Sequence, residues 1–196
     1  MLSYEESLKI LKETNALLEG HFILSSGLHT KNYIQCAKLL SNTKKGVLIC
    51  QSLCEKINNT FDKIDIVLTP AIGGIVVGYE IGRQLNIKTI FAERSDGILK
   101  LRRGFDIPKN SNVLIVEDVI TTGKSALECA KIIEENNSNL AGYACIIDRS
   151  DEKLLIKDIV VSQIKFEIKT YKENEIPDSL KSIKPLKPGS RNSSNK

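Results

Sequence analysis

The hydrophobic pattern between residues 64 and 150 predicts strands that alternate with helices. Four short apolar runs lie there, at residues 64–69 (IDIVLT), 88–93 (KTIFAE), 111–120 (SNVLIVEDVI) and 140–148 (LAGYACIID). The stretches between them place apolar residues at helical spacing, from Ile75 to about Leu85 and again from Ala126 to Ile133. Continuous apolar runs joined by helices are typical of a parallel sheet that is buried on both faces. The pattern therefore predicts an α/β fold with a central parallel sheet flanked by helices.

The remaining segments add elements at both ends of this sheet. Ser3 and Glu6 form a capping box, which predicts an opening helix. Residues 20–40 predict a strand, a turn at residues 25–27 and a second strand, and an amphipathic helix is expected around Cys50 and Cys54. Residues 154–171 (LLIKDIVVSQIKFEIKTY) predict a helix followed by a strand that closes the sheet.

Composition restricts the class of protein. Hydrophobic residues make up 41% of the 196-residue chain and charged residues 27%, which are the proportions of a soluble globular domain. No apolar run approaches the roughly 20 residues of a membrane-spanning helix, and the N-terminal residues lack the apolar region of a secretory signal. We therefore expect a cytoplasmic protein with no membrane partner.

The cysteines and the net charge bear on two further classes of protein, those that bind zinc and those that bind nucleic acid. Five cysteines without a CxxC motif, beside only two histidines, favour buried reduced thiols over a zinc site. The net charge of +4 is mild, and much of the excess lies in residues 181–196, which predict a solvated, disordered tail. A nucleic-acid-binding protein usually has a basic stripe on a structured face, so we expect no nucleic-acid partner. The charge does fit anionic small molecules.

Residues 113–125 contain the most specific pattern, at a place where such sheets bind ligands, the carboxyl end of a strand. Residues 113–116 predict a buried strand, and Glu117 and Asp118 are expected to leave its end side by side. The loop TTGKS then leads into a helix, whose free N-terminal amides attract phosphate, and Gly123 lets the backbone approach closely. The two carboxylates suit a pair of sugar hydroxyls, or Mg²⁺ held through water. The segment predicts a site for a phosphorylated sugar.

Other interpretations of the same segment are weaker. A P-loop, GxxxxGK[ST], requires glycine at position 118, where this chain has aspartate. No GxGxxG follows a strand, so a dinucleotide-binding fold is not supported. An ordinary acidic strand end followed by a Thr/Gly turn stays open as the structural alternative.

Residues 113–125 resemble the thirteen-residue signature with which type I phosphoribosyltransferases bind phosphoribosyl diphosphate (PRPP): four apolar residues, two acidic, two apolar and a Thr/Gly/Ser loop. HFILSSGLHTKNYIQCA, TPAIGGIVVGYEIGRQL, IFAERSDGILKLRRGF, IIDRS and KPGSR are similar to the orotate branch of that family, over nearly the whole chain. The resemblance implies a type I phosphoribosyltransferase fold with a mobile loop. It divides the chain into an N-terminal hood and base-pocket subdomain (residues 1–60), a core (61–175) and a tail (176–196).

The resemblance also implies an activity. Ribose 5-phosphate would pass from PRPP to orotate, giving orotidine 5′-monophosphate and pyrophosphate in pyrimidine biosynthesis, and Mg²⁺ would arrive with PRPP rather than on direct protein ligands. Glu117 and Asp118 would meet the ribose hydroxyls, and residues 69–74 would present amides to the pyrophosphate. Arg149 and Thr121 would bind orotate, with the guanidinium gripping its carboxylate. The PRPP-binding set is Arg94, Lys100, Glu117, Asp118, Val119, Ile120, Thr121, Thr122, Gly123, Lys124 and Ser125.

Residues 93–105 place four basic side chains around Gly97 and Gly104, as expected of a lid over a leaving pyrophosphate. A solvated charged hairpin stays open as the alternative. By resemblance, the neighbouring subunit of a homodimer donates this loop, and Lys100 joins Glu117 and Asp118 as a catalytic residue. The lysines that better-known relatives have at the positions of Ser25 and Gly73 are absent.

Two other functions stay open. A purine or uracil phosphoribosyltransferase would share residues 113–125 but would not need Arg149. A non-catalytic regulator could bind PRPP on the same fold, although no segment the size of a helix-turn-helix is spare.

Overall fold

The computed structural model describes residues 1–24 and 26–188. In chain order its elements are α1 (Tyr4–Glu13), β1 (Leu17–Ile23), β2 (His29–Ile34), α2 (Cys36–Ser41), α3 (Thr43–Asn58), β3 (Ile66–Pro70), α4 (Gly73–Leu85), β4 (Lys88–Ser95), β5 (Ile98–Leu101), β6 (Asn112–Ile120), α5 (Lys124–Glu135), β7 (Asn139–Asp148), β8 (Val160–Lys165), β9 (Thr170–Tyr171), a 3₁₀ turn (Glu173–Glu175) and α6 (Asp178–Lys181). The predicted capping box of α1 is confirmed, since Ser3 and Glu6 exchange both hydrogen bonds.

The main sheet has six strands in the order β5-β4-β3-β6-β7-β8. β5 is antiparallel to β4, and every other neighbouring pair is parallel. This confirms the predicted α/β fold, because the four apolar runs became β3, β4, β6 and β7, with α4 after the first and α5 after the third. In β6 the side chains on both faces are buried, which explains its continuous apolar run. Leu114 and Val116 pack on the side of α3 and α4, whereas Val113 and Ile115 pack on the side of α5.

A smaller sheet of β1, β2 and β9 forms the hood. β1 pairs antiparallel with β2 as predicted, and β9 pairs with the other edge of β2. The free edge of β1 is covered by the C-terminal segment, where the Leu186 amide donates to His21 O and its carbonyl accepts from Ile23 N, both at 2.8 Å. The disordered tail predicted from residue 181 is therefore wrong as far as Leu186, because the segment gains these backbone partners. Residues 189–196 of that tail, and Ser25, lie outside the described residues.

Two sequence expectations near the sheet edge need correction. The helix predicted within residues 154–159 is absent, because Ile156 packs over Gly123 and the Leu155 amide donates to Thr122 O, so this segment covers the loop instead. The buried strand predicted to end at residue 116 continues to Ile120, since β6 stays paired with β7 up to Asp148. The proposed domain limits at residues 60 and 175 stay a prediction, although β9 and Leu186 both belong to the hood sheet.

All five cysteines are buried and free, as predicted. Among the described residues, no helix is both long enough and apolar enough to cross a bilayer.

Candidate active site

The two acidic residues of β6 lie on opposite faces of the sheet. Side chains alternate along a strand, so Asp118 follows Leu114 and Val116 onto the α4 side, and Glu117 lies on the α5 side. The Ala126 amide, in the first turn of α5, hydrogen-bonds to Glu117. The expectation of two carboxylates leaving a strand end side by side is therefore wrong. They border the end of β6 from its two faces.

Asp118 lies against the turn between β3 and α4. A Cβ built on Gly73 would stand 2.9 Å from Asp118 Oδ1 and 3.0 Å from Oδ2. Asp118 Oδ1 also accepts a hydrogen bond from Val119 N at 3.0 Å. A side chain at position 73 would displace the Asp118 carboxylate.

The same turn brings α4 close to the strand beneath it. Gly74 and Gly78 both face Thr69, and a Cβ on Gly74 would overlap Thr69 Oγ1. The peptide bond between Ala71 and Ile72 is cis. α4 begins without a side-chain cap, so its first amides are available to an anion, as expected of a turn that meets pyrophosphate.

The loop after β6 has the backbone geometry that was predicted for an anion site. Gly123 has φ +75° and precedes α5, which also lacks a side-chain cap. Its Cβ position is filled by Ile156 at 2.7 Å, so both backbone conformation and space require glycine. Thr121, Thr122 and Lys124 are exposed and Ser125 is half-buried, which leaves their polar groups accessible at the helix N-terminus.

Burial controls the electrostatics of the acidic pair. Burial raises the pKa of Glu117 to about 7, the charge of Asp118 adds to the increase, and the Ala126 hydrogen bond opposes it. Burial also raises the pKa of Asp118, and hydrogen bonds from the backbone partly offset the effect. Both carboxylates are thus costly to ionise in the free protein, and both would gain from a cationic or hydroxyl-donating ligand.

Arg149 joins this edge at the end of β7. Its amide donates to Ile120 O at 2.8 Å, which ties it to the end of the acidic strand. Its Nε is buried and has no hydrogen-bond partner among the described residues. Burial lowers the pKa of the guanidinium, while the nearby side chains of Cys36 and Tyr33 oppose that shift. An unpaired buried guanidinium edge is suited to a carboxylate ligand.

Cys36 is a site neighbour that the sequence did not reveal. Its Sγ is 3.7 Å from Asp118 O, and the side chain is 2% exposed. It connects α2, beside the hood, to the acidic strand. The sequence around this cysteine, QCAKLL, contains no pattern that predicts such a role.

Residues 93–105 form the β4–β5 hairpin and the segment that follows it. A charged hairpin was the alternative to a lid that the sequence left open. Arg103 makes two hydrogen bonds to Glu93, at 2.8 and 2.9 Å, and Arg94 Nη1 lies 2.9 Å from Glu128 Oε2 of α5. Lys100 lines a groove of about 490 Å³ beside Lys131. Side chains alternate along β5, so the exposed Lys100 side chain lies on the face opposite Leu99, which packs against α5. Mobility of this segment stays a prediction.

Within residues 1–24 and 26–188 no cluster of three or more His, Cys, Asp or Glu side chains has a metal-binding arrangement. The structure brings Glu117, Asp118, the 121–125 loop and Arg149 to one edge, but leaves Arg94 and Lys100 on the hairpin. The assignment of individual ligand contacts stays a prediction.

A model of the phosphoribosyl transferase domain matches residues 37–178 of the chain. The orotate phosphoribosyltransferase of Caldicellulosiruptor bescii is 45% identical over 184 residues, covering 94% of this chain and 96% of the relative. That of Methylorubrum populi is 44% identical over 188 residues, covering 95% and 96%. The chain belongs to the orotate phosphoribosyltransferase family.

Solved structures agree on the fold. The orotate phosphoribosyltransferase of Aeropyrum pernix superposes with a TM-score of 0.70 at 22% identity, covering 81% of this chain and 92% of that one. An adenine phosphoribosyltransferase from Thermoanaerobacter pseudethanolicus gives 0.60 at 17% identity, covering 69% and 88%. The type I phosphoribosyltransferase fold predicted from residues 113–125 is confirmed.

Proposed function

We propose that the protein transfers ribose 5-phosphate from PRPP to orotate, releasing orotidine 5′-monophosphate and pyrophosphate, as a step of pyrimidine biosynthesis in the cytoplasm. The observation that supports this most directly is the position of Arg149. Its buried Nε, which has no partner within residues 1–24 and 26–188, lies at the same sheet edge as Asp118 and the phosphate loop. A base with a carboxylate, next to a phosphorylated ribose, matches that set of groups.

The two proposed anion sites would bind different parts of the PRPP molecule. The loop at residues 121–125 would hold the 5′-phosphate, and the turn at residues 69–74 would hold the pyrophosphate. Glu117 and Asp118, one on each face of β6, would accept hydrogen bonds from the ribose hydroxyls and lie near the positive charge that develops at C1. Such fixed groups stabilise the transition state without covalent chemistry, and Thr121 would approach the base from the same loop.

Asp118 faces the turn that would bind pyrophosphate, so two anions would meet there. This repulsion favours Mg²⁺, which when bound neutralises the leaving group and reaches carboxylates through water. The ion would arrive with PRPP. Asp118 and Glu117 are the residues that would meet its hydration shell.

A homodimer that shares the hairpin is part of this proposal. The Lys100 side chain is exposed on the hairpin and is therefore accessible to a second copy. The α4 apolar stripe, consisting of Ile72, Val76 and Tyr79, is 85%, 53% and 64% exposed, next to the pyrophosphate turn. Exposed apolar stripes of this kind are typical of protein interfaces. A second copy seated on this stripe would bring its hairpin near the site, with Lys100 and Arg94 directed at the pyrophosphate.

The test is a base-consumption assay. Orotate absorbance is expected to fall when the protein is mixed with PRPP and Mg²⁺, and to stop falling when a chelator is added. Adenine, hypoxanthine and uracil serve as competing bases in parallel reactions. Consumption of one of these with orotate untouched would contradict the substrate, and PRPP binding without consumption of any base would favour a regulator.

A further inference from the structure

Two threonines pack against the glycine-rich face of α4, and among the described residues only one of them has a hydrogen-bond partner for its hydroxyl. Thr89 of β4 lies against Gly82 and its hydroxyl donates to Gly78 O at 3.4 Å. Thr69 of β3 lies against Gly74 and Gly78, with its hydroxyl toward Gly74 and its methyl 2.9 Å from the Cβ position of Gly78. Among the described residues, Thr69 Oγ1 has no hydrogen-bond partner.

Thr69 is completely buried, at 0% exposure, so its hydroxyl is also out of reach of solvent. A buried hydroxyl without a partner destabilises a protein, and valine would fill the same space without that penalty. The position is also special, because Thr69 is the first residue of the 69–74 turn and supports Gly74 from below. A polar group held unpaired under a ligand-binding turn suggests that its partner appears in the bound state.

We infer that Thr69 is a positioning residue of this turn, whose hydroxyl gains its hydrogen bond from the turn backbone when a diphosphate binds the uncapped start of α4. In this role the Thr69 hydroxyl acts through the turn backbone and not by contact with the ligand. The Gly74 backbone lies directly on Oγ1, so any movement of the turn toward the ligand alters the peptide groups that Oγ1 faces. The inference rests on the proposed function in one respect, namely that the turn is the diphosphate site.

The chain offers a matched control. Thr89→Val removes a hydroxyl that packs on the same helix in the same way but lies nearer the other end of α4. Thr69→Val keeps the shape and removes the hydroxyl, and Thr69→Ser keeps the hydroxyl and removes the methyl. All three differ from the wild type by one small group, and the Ser variant supplies a second test should the Val variant fold poorly.

The measurement is calorimetric titration with magnesium pyrophosphate, together with the melting temperature of the free protein. Thr69→Val is expected to bind pyrophosphate about fivefold more weakly, the loss of one neutral hydrogen bond, while its free form melts at the same or a higher temperature. Thr69→Ser is expected to bind within about twofold of the wild type. Thr89→Val is expected to melt lower and to bind normally.

Wild-type affinity in Thr69→Val, or equal weakening in Thr69→Ser and Thr69→Val, would overturn the inference. If this happens while the wild type still consumes orotate, the proposed function stands and the role of Thr69 falls alone. If the wild type neither binds pyrophosphate nor consumes orotate, the proposed function fails and the inference fails with it.

Discussion

Gly73 and Asp118 occupy adjoining space, with the glycine directly under the carboxylate. A methyl group at position 73 would stand 2.9 Å from Asp118 Oδ1, closer than real contacts allow. Gly73→Ala is therefore expected to displace the carboxylate and lower kcat/KM for PRPP about ten- to a hundredfold. Steady-state kinetics with PRPP as the varied substrate measure this.

Gly46→Ala is the matched control for that substitution. Gly46 lies in α3, and its nearest neighbour to an added Cβ is 3.7 Å away, which is ordinary contact. Alanine there is expected to stabilise the protein by about 0.5–1 kcal/mol and to leave kinetics unchanged. Equal kinetic loss in both variants would show that the Gly73 effect does not arise from Asp118.

Glu117 predicts a pH dependence of stability. Its pKa is raised from 4.5 to about 7 in the folded state, so ionisation costs the folded protein more than the unfolded one. The associated stability is fully present below about pH 4.5 and is lost as the pH rises through 7. The loss amounts to at most about 3 kcal/mol.

Glu117→Gln should remove this dependence. The measurement is denaturant unfolding of the ligand-free proteins between pH 5 and 8. The free energy of unfolding of the wild type, minus that of the variant, is expected to decline with pH over roughly that range. A difference that stays constant, or that grows with pH, would contradict the burial of this carboxylate.

Arg149→Ala is expected to raise KM for orotate by about a hundredfold and to change KM for PRPP little. The substitution would remove the buried charge-assisted pair with the orotate carboxylate and no contact with PRPP. Arg149→Lys should give an intermediate value, since a point charge cannot grip a carboxylate bidentately. Kinetics with each substrate varied in turn measure the split. Equal increases in both KM values would remove the assigned role.

Mixed subunits test whether the hairpin is shared. Lys100→Ala and Asp118→Ala are each expected to lower kcat strongly as homodimers. Unfolding and refolding a one-to-one mixture should restore about a quarter of wild-type activity if Lys100 acts in the neighbouring site, since half of the dimers then hold one intact site. No recovery would mean that each subunit uses its own hairpin.

Val76→Glu tests the α4 apolar stripe as the contact between copies. A charge at its centre is expected to convert dimer to monomer in sedimentation experiments, with lower activity, because a buried unpaired charge is costly at an interface. Ile159→Glu is the control, since Ile159 is 62% exposed and precedes the edge strand β8. A Val76→Glu protein that remains dimeric would place the interface elsewhere.

Much of the fold was accessible from the sequence because burial on both faces leaves a continuous apolar run, as in β3 and β6. The phosphate loop was accessible for a similar reason, since Gly123 and the residues around it are fixed by local backbone geometry. The placement of Glu117 and Asp118 on opposite faces was not, because it depends on β6 continuing past Val116. That continuation is decided by pairing with β7, a non-local contact.

The hairpin and the C-terminal segment show the same limit. Arg94 forms an ion pair with Glu128 of α5, a contact between distant segments that no local pattern predicts. The role of Arg94 and Lys100 at the pyrophosphate of a neighbouring subunit stays a prediction. Residues 183–186 lie in the basic, Pro- and Ser-containing segment that the sequence predicted to be a disordered tail. Their structure depends on backbone pairing with the open edge of β1, which no local pattern in the tail predicts.

The contact of Leu186 with β1 has a consequence for the order of events during synthesis. The hood takes its first strands from residues 17–34 and its outermost cover from residues 183–186. The ribosome therefore releases the earliest strands well over a hundred residues before their cover exists. The six-stranded sheet needs nothing beyond β8 and can assemble first. The hood is thus the last part to be completed, and a chain stopped before residue 186 would have a finished core under an unfinished hood.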